Sequence, residues 1–182
     1  MLRYKLILIS ILSISLTNLY AFRPLSTDQL QDAVDLWVLD SAEAESAHGH
    51  ISTWDVSQLS SLGQVFRDKH SFNSDISSWD VSNVTDFFYT FSSAHQFNRD
   101  LSSWDVSSAI SMHMMFQGCH LFESDLSSWD VSNVTDMHRM FNDAHNFTSD
   151  LSNWDVSMVN DMTGLFAACH NFTSDLSNWD VS

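Results

Sequence analysis

Aspartate recurs in one frame of this chain, at Asp55, Asp80, Asp105, Asp130, Asp155 and Asp180, each time inside the tetrapeptide Trp-Asp-Val-Ser. Carboxylates stacked at the ~4.8 Å spacing of neighbouring strands repel by roughly 1 kcal/mol per pair, even with water-like screening. Something must offset that repulsion. Serine hydroxyls and backbone N–H groups within the repeat can do so, and the sequence favours them. The alternative is a cation such as Ca²⁺ or a basic partner, and it makes Asp55, Asp80, Asp105, Asp130 and Asp155 the candidate partner-binding residues. A second frame, Asp75, Asp100, Asp125, Asp150 and Asp175, precedes an Ile or Leu and follows a loop, where aspartate stabilises turns. A third frame holds His70, His95, His120, His145 and His170. Imidazole is a metal ligand, but these residues follow a predicted helix, whose last carbonyls they can meet, and they recur in every repeat. A structural role is expected for them, and no metal site. His113 and His138 align in adjacent repeats, yet two ligands without a third make a weak site. No nucleophile, base and acid stand apart from the repetition, and the four glycines form no phosphate loop, so no enzyme activity is expected.

The elements that would hold these columns repeat every 25 residues. Trp stands at 54, 79, 104, 129, 154 and 179, and Phe at 66, 91, 116, 141 and 166 and again at 72, 97, 122, 147 and 172. Coils then run 50–74, 75–99, 100–124, 125–149 and 150–174, with a truncated sixth at 175–182. In the fourth coil Val134, Met137, Met140, Phe141 and Ala144 have the spacing of a helical stripe. Ser132 or Thr135, followed by Asp136, would cap that helix. Trp129, Asp130, Val131 and Ser132 alternate as a strand does. The predicted fold is therefore α/β: a right-handed, leucine-rich-repeat-like solenoid with one short parallel strand and one helix per 25-residue coil. A three-stranded β-helix is the alternative, and the Met/Phe stripe counts against it. Before the coils, residues 22–49 read as a capping segment whose helix, started by Thr27-Asp28, carries Leu30, Ala33, Val34 and Trp37 on one face. The repeat region is 50–182. Because the chain stops in mid-coil, a fragment with an uncovered end is expected, and self-association through that end with it.

Arg3 and Lys5 precede an apolar run from Leu6 to Leu16, which is too short to span a bilayer comfortably and reads as a signal peptide over residues 1–21. The rest of the chain offers no transmembrane segment. Loss of Arg3 and Lys5 takes the formal charge from −16 to about −18. Such a charge opposes nucleic acid and anionic lipid as partners. With 13 Phe and 7 Trp the chain is no disordered acidic tail. Cys119 and Cys169 are two coils apart, beyond the ~7 Å Cα separation a disulfide tolerates, so they are read as buried small side chains and no disulfide is expected. Asn83, Asn133, Asn146 and Asn171 lie in Asn-X-Thr sequons and are possible N-glycosylation sites.

The run from Phe72 to Asp86, Phe-Asn-Ser-Asp-Ile-Ser-Ser-Trp-Asp-Val-Ser-Asn-Val-Thr-Asp, resembles the repeat of BspA-like leucine-rich repeat surface proteins. Ala33 to Val56, with Trp37, Gly49-His50-Ile51-Ser52 and Trp54-Asp55-Val56, is similar to the opening of that domain in unicellular eukaryotes. The resemblance covers roughly residues 30–182. It implies an exported or surface-attached protein of adhesion or interaction type. Leu126, Trp129 and Val131 fit the leucine-rich pattern, but Val134 replaces its Asn and Asn133 sits one place early. The expected function is a secreted or cell-surface recognition module that presents an acidic sheet face to an extracellular protein or glycan. A spacer without specific ligand, or a cation-binding solenoid, is the alternative.

Overall fold

The computed structural model describes residues 21–181; the apolar run assigned to a leader lies outside them. The capping segment contains two helices where one was expected. Helix α1, Thr27–Leu39, is capped one residue earlier than predicted, by Ser26, whose hydroxyl accepts from the Gln29 N–H. It buries Leu30, Ala33, Val34 and Trp37, as its periodicity requires. Asp40 then turns the chain: its carboxylate accepts from the N–H groups of Ala42 and Glu43 and starts helix α2, Ser41–His48. Both helices cover the first coil. The Trp37 indole donates to Ser74, Gln31 to the Val65 carbonyl, and Lys69 pairs with Asp35. Trp54 meets Trp37 edge-on at 6.0 Å and Phe22 at 5.2 Å. Among the described residues no helix is long and apolar enough to cross a membrane.

From residue 50 onward the described residues build neither the helix nor the strand expected of each coil, and the α/β solenoid is corrected. After one 3-10 turn at Ile51–Thr53, the described coils consist of turns tied by isolated parallel bridges, Ser61–Asp86, Asp86–Ser111, Ser111–Asp136 and Asp136–Asp161. The backbone explains why. An α-helix needs φ near −63° throughout, but two frames four residues apart sit in the left-handed region in every full coil. One frame contains Gln64 at 65°, Tyr89 at 54°, Met114 at 51° and Arg139 at 50°; the other contains Asp68 at 59°, Ser93 at 60°, Gly118 at 70° and Asp143 at 63°. Ser132 and Thr135 cap nothing: the Thr135 hydroxyl donates to the Ile110 carbonyl of the preceding coil.

Backbone N–H groups of this segment take two directions. Those of Thr90, Ser92 and Ala94 close turns onto the carbonyls of Phe87, Tyr89 and Phe91, three residues back. Those of Phe87, Tyr89, Phe91 and Ser93 donate to Ser111, His113, Met115 and Gln117 of the next coil. Closure over three residues sends Val84, Phe87 and Thr90 inward, and after them Phe91, Ala94 and Phe97. That spacing imitates a helical stripe, which is why the sequence predicts a helix there.

The Trp-Asp-Val-Ser segment keeps the alternation of a strand without its pairing. Trp79 and Val81 are buried while Asp80 is exposed, and turns closed by Trp79 onto Ile76 and Val84 onto Val81 flank them. Here side chains bind coil to coil. The indole N–H of Trp79 donates to the carbonyl of Ile51, Trp104 to Ile76, Trp129 to Leu101 and Trp154 to Leu126, each 28 residues back at 2.9–3.1 Å. Inside, Phe91 stacks on Phe66 at 5.0 Å and on Phe116 at 5.5 Å, and Phe97 on Phe72 and Phe122 at 5.8 and 5.9 Å. Such pairs add ~0.5–1.5 kcal/mol beyond the area they bury. In the last full coil Val159, Met162, Phe166 and Phe172 are only partly buried, where their counterparts in earlier coils are fully so.

Candidate functional site

The aspartates of the first column from Asp55 to Asp155 are each engaged within their own coil. Asp55 accepts from the Ser57 N–H and hydroxyl, Asp80 likewise from Ser82, and Asp105 from Ser107 at 3.0 and 2.6 Å. Asp130 accepts from the Ser132 N–H and Asp155 from that of Ser157. The serine hydroxyl, helped by its N–H, holds the Asp105 and Asp155 carboxyls below the usual carboxylate range. Asp55 is lowered for the same reason, with Arg23 at 3.3 Å assisting. The second column is arranged alike, so that Asp125 takes the Ser127 N–H and the hydroxyl of Ser149 at the far end of its own coil. Stacked acids are thus tolerated because each is the acceptor of a short turn. Of the sequon asparagines, Asn83 and Asn133 donate their amides to the carbonyls of Ser57 and Ser107 one coil earlier, and Asn146 donates to Glu123. Asn171 is exposed. Cys119 and Cys169 are free thiols whose Sγ atoms face the carbonyls of Phe91 and Ala144; burial pushes the Cys169 thiol up to about 11 and that of Cys119 further.

The turn segment presents a different surface. Its frames change identity from coil to coil. One reads Gly63, Phe88, His113, His138 and Thr163; the next Gln64, Tyr89, Met114, Arg139 and Gly164; a third Arg67, Ser92, Gln117, Asn142 and Ala167. The second and third of these frames contribute Arg67, Tyr89, Met114, Gln117, Arg139 and Asn142 to a shallow groove of about 370 Å³, with His95 and Asp143 also on its walls. The Arg67 guanidinium lies 4.7 Å from the centre of the Tyr89 ring. The groove therefore offers an aromatic face, two guanidinium groups and carboxylates, which suits a polar partner.

Histidines border this segment in two ladders. His70, His95, His120, His145 and His170 stack ring on ring at 4.4, 4.5, 4.7 and 5.3 Å. His113 and His138 stack at 4.8 Å. Neither ladder follows a helix, so the helix-end role expected of the first is also corrected. Three of the histidines meet aspartates of the following coil: His113 Nδ1 lies 3.1 Å from Asp136, His138 Nδ1 3.3 Å from Asp161 and His120 Nε2 3.2 Å from Asp143. The periodicity puts Asp136 at a helix start and passes over Asp143 and Asp161. A signal was present, because all three pairs are 23 residues apart.

The model of one protein family, described as "Mycoplasma protein of unknown function, DUF285", matches residues 38–136 and again residues 104–182. No curated protein matches the chain, and no solved structure does.

Proposed function

The chain belongs to that family, whose description assigns no activity, and we propose that it is a secreted or cell-surface recognition module for an extracellular protein or glycan. The variable frames of the turn segment carry this reading. They place Gln64, Tyr89, Met114 and Arg139 in one register on an unchanging backbone. A scaffold that only spaces other domains has no use for such variation, whereas a reader of a partner needs it. The recognition surface is thereby moved from the aspartates of the Trp-Asp-Val-Ser segment to the groove, because those carboxylates already serve as acceptors within their coils. Arg3 and Lys5 ahead of the apolar run support export.

Binding of the full chain to an array of glycans and extracellular matrix proteins tests the proposal. Tyr89→Gln with Arg139→Gln places in both coils the residue that the same frame holds at Gln64. The double variant is expected to lose binding at least tenfold with an unchanged melting temperature. Asp105→Asn with Asp130→Asn is expected to leave binding intact. Loss in the aspartate pair alone would return recognition to that column, and an array without any binder would favour the spacer.

A further inference from the structure

Every coil supplies a histidine to the long ladder, but the frame two residues before it is acidic only at Asp68 and Asp143, being Ser93, Gly118 and Ala168 elsewhere. A residue in this frame can meet two imidazoles: the one of its own coil and the one 23 residues earlier. Asp68 has no repeat histidine 23 residues earlier, because the preceding segment is the helical cap. Asp143 has both. Its Oδ1 lies 2.7 Å from His145 Nε2 and its Oδ2 lies 3.2 Å from His120 Nε2. The three side chains are half-buried, and one ligand atom from each falls within 4.8 Å of the others.

From this cluster we propose that His120, Asp143 and His145 form a site for a single transition-metal ion, with Zn²⁺ as the fitting species. Two imidazoles and one carboxylate are the ligand types that zinc takes, whereas Ca²⁺ and Mg²⁺ require a shell of oxygens. At metal–ligand bonds of ~2.0–2.1 Å, tetrahedral ligand atoms lie roughly 3.3 Å apart. Coordination therefore requires the imidazoles of His120 and His145, now stacked at 4.7 Å, to rotate until both lone pairs converge beside Asp143. Three protein ligands leave a fourth position for water or a donor from a partner, and Asp143 is on the wall of the groove. The ladder alone makes no such site. The one acid with histidines on both sides does, which departs from the expectation that the column is purely structural. The site stands on its own geometry, independent of the recognition proposal.

Isothermal titration of the full chain with Zn²⁺ tests it, beside two substitutions borrowed from other coils. Asp143→Gly places the residue of Gly118 at a backbone of φ 63°, where glycine is at ease. It is expected to keep or raise the metal-free melting temperature and to weaken Zn²⁺ binding by at least about tenfold, the lower end of what disturbing a ligand's support costs. Ser93→Asp supplies an acid between His70 and His95 and shares no ligand with Asp143. It is expected to add one further equivalent of bound Zn²⁺. Absence of saturable binding in the parent chain, or saturable binding unchanged by Asp143→Gly, would overturn the proposal.

Discussion

Two segments of the same coil hold it to its neighbours by different bonds. In the Trp-Asp-Val-Ser segment the donors are side chains: the Trp indoles, the hydroxyls of Ser78, Ser103 and Ser128, and the amides of Asn83 and Asn133 all reach carbonyls of the previous coil. In the turn segment backbone donates to backbone, as Leu62, Gln64 and Phe66 do to Asp86, Phe88 and Thr90. The indole bond demands a tryptophan, so that letter repeats in every coil. The backbone bond is indifferent to side-chain identity, so Tyr89, Met114 and Arg139 can replace one another in one frame. Where the indole binds coils the residue repeats, and where the backbone ladder binds them the side chain is released to vary.

The sharpest way to break this contrast is to remove an indole. Trp104→Ala deletes a buried ring and leaves the Ile76 carbonyl with the Trp79 N–H alone, and it is expected to cost ~3–5 kcal/mol in urea unfolding. Gln117→Ala, in a variable frame of the same coil, is expected to stay within about 0.5 kcal/mol. Similar costs at the two positions would erase the distinction. The backbone side is probed at Gly118, which sits at φ 70°. A Cβ there would meet only ordinary contacts with Ser93, so Gly118→Ala isolates the left-handed strain and is expected to lower stability by roughly 1–2 kcal/mol. A variant as stable as the parent would mean that the turn frames carry no such demand.

The smallest effect is a change with pH. Ser107→Ala removes the hydroxyl that holds the Asp105 carboxyl below its ordinary value. A depressed folded-state value contributes stability above the unfolded value of about 3.9 that is lost as pH falls through the lower folded one. Thermal melts of the parent and Ser107→Ala should therefore differ at pH 6 and converge as the pH drops well below 4. A gap that persists in acid would assign the hydroxyl a role unrelated to the carboxylate.

The legible parts of the fold were those where side-chain identity does the binding. The period, the covering helix with Leu30, Ala33, Val34 and Trp37, and the buried Trp and Phe columns could all be read from residue types. The turns could not. Left-handed positions usually announce themselves by Gly or Asn, but here Gln64, Tyr89, Met114 and Arg139 occupy one such frame, because the ladder to the next coil holds them there. Closure over three residues then reproduced the helical stripe. The site was obscured for a related reason. Two unbroken aspartate columns stand out in the sequence, whereas Asp136, Asp143 and Asp161, in frames that also contain other residues, matter through histidines 23 residues before them.

The indole that points 28 residues back also gives the stack a direction of growth. Trp129 finds its acceptor only after Leu101 is in place, and Trp104 only after Ile76. Helices α1 and α2 stabilise themselves by local bonds and offer the first finished surface. A chain made from its N-terminus can therefore lay each coil on a completed template, as a crystal face advances from a seed.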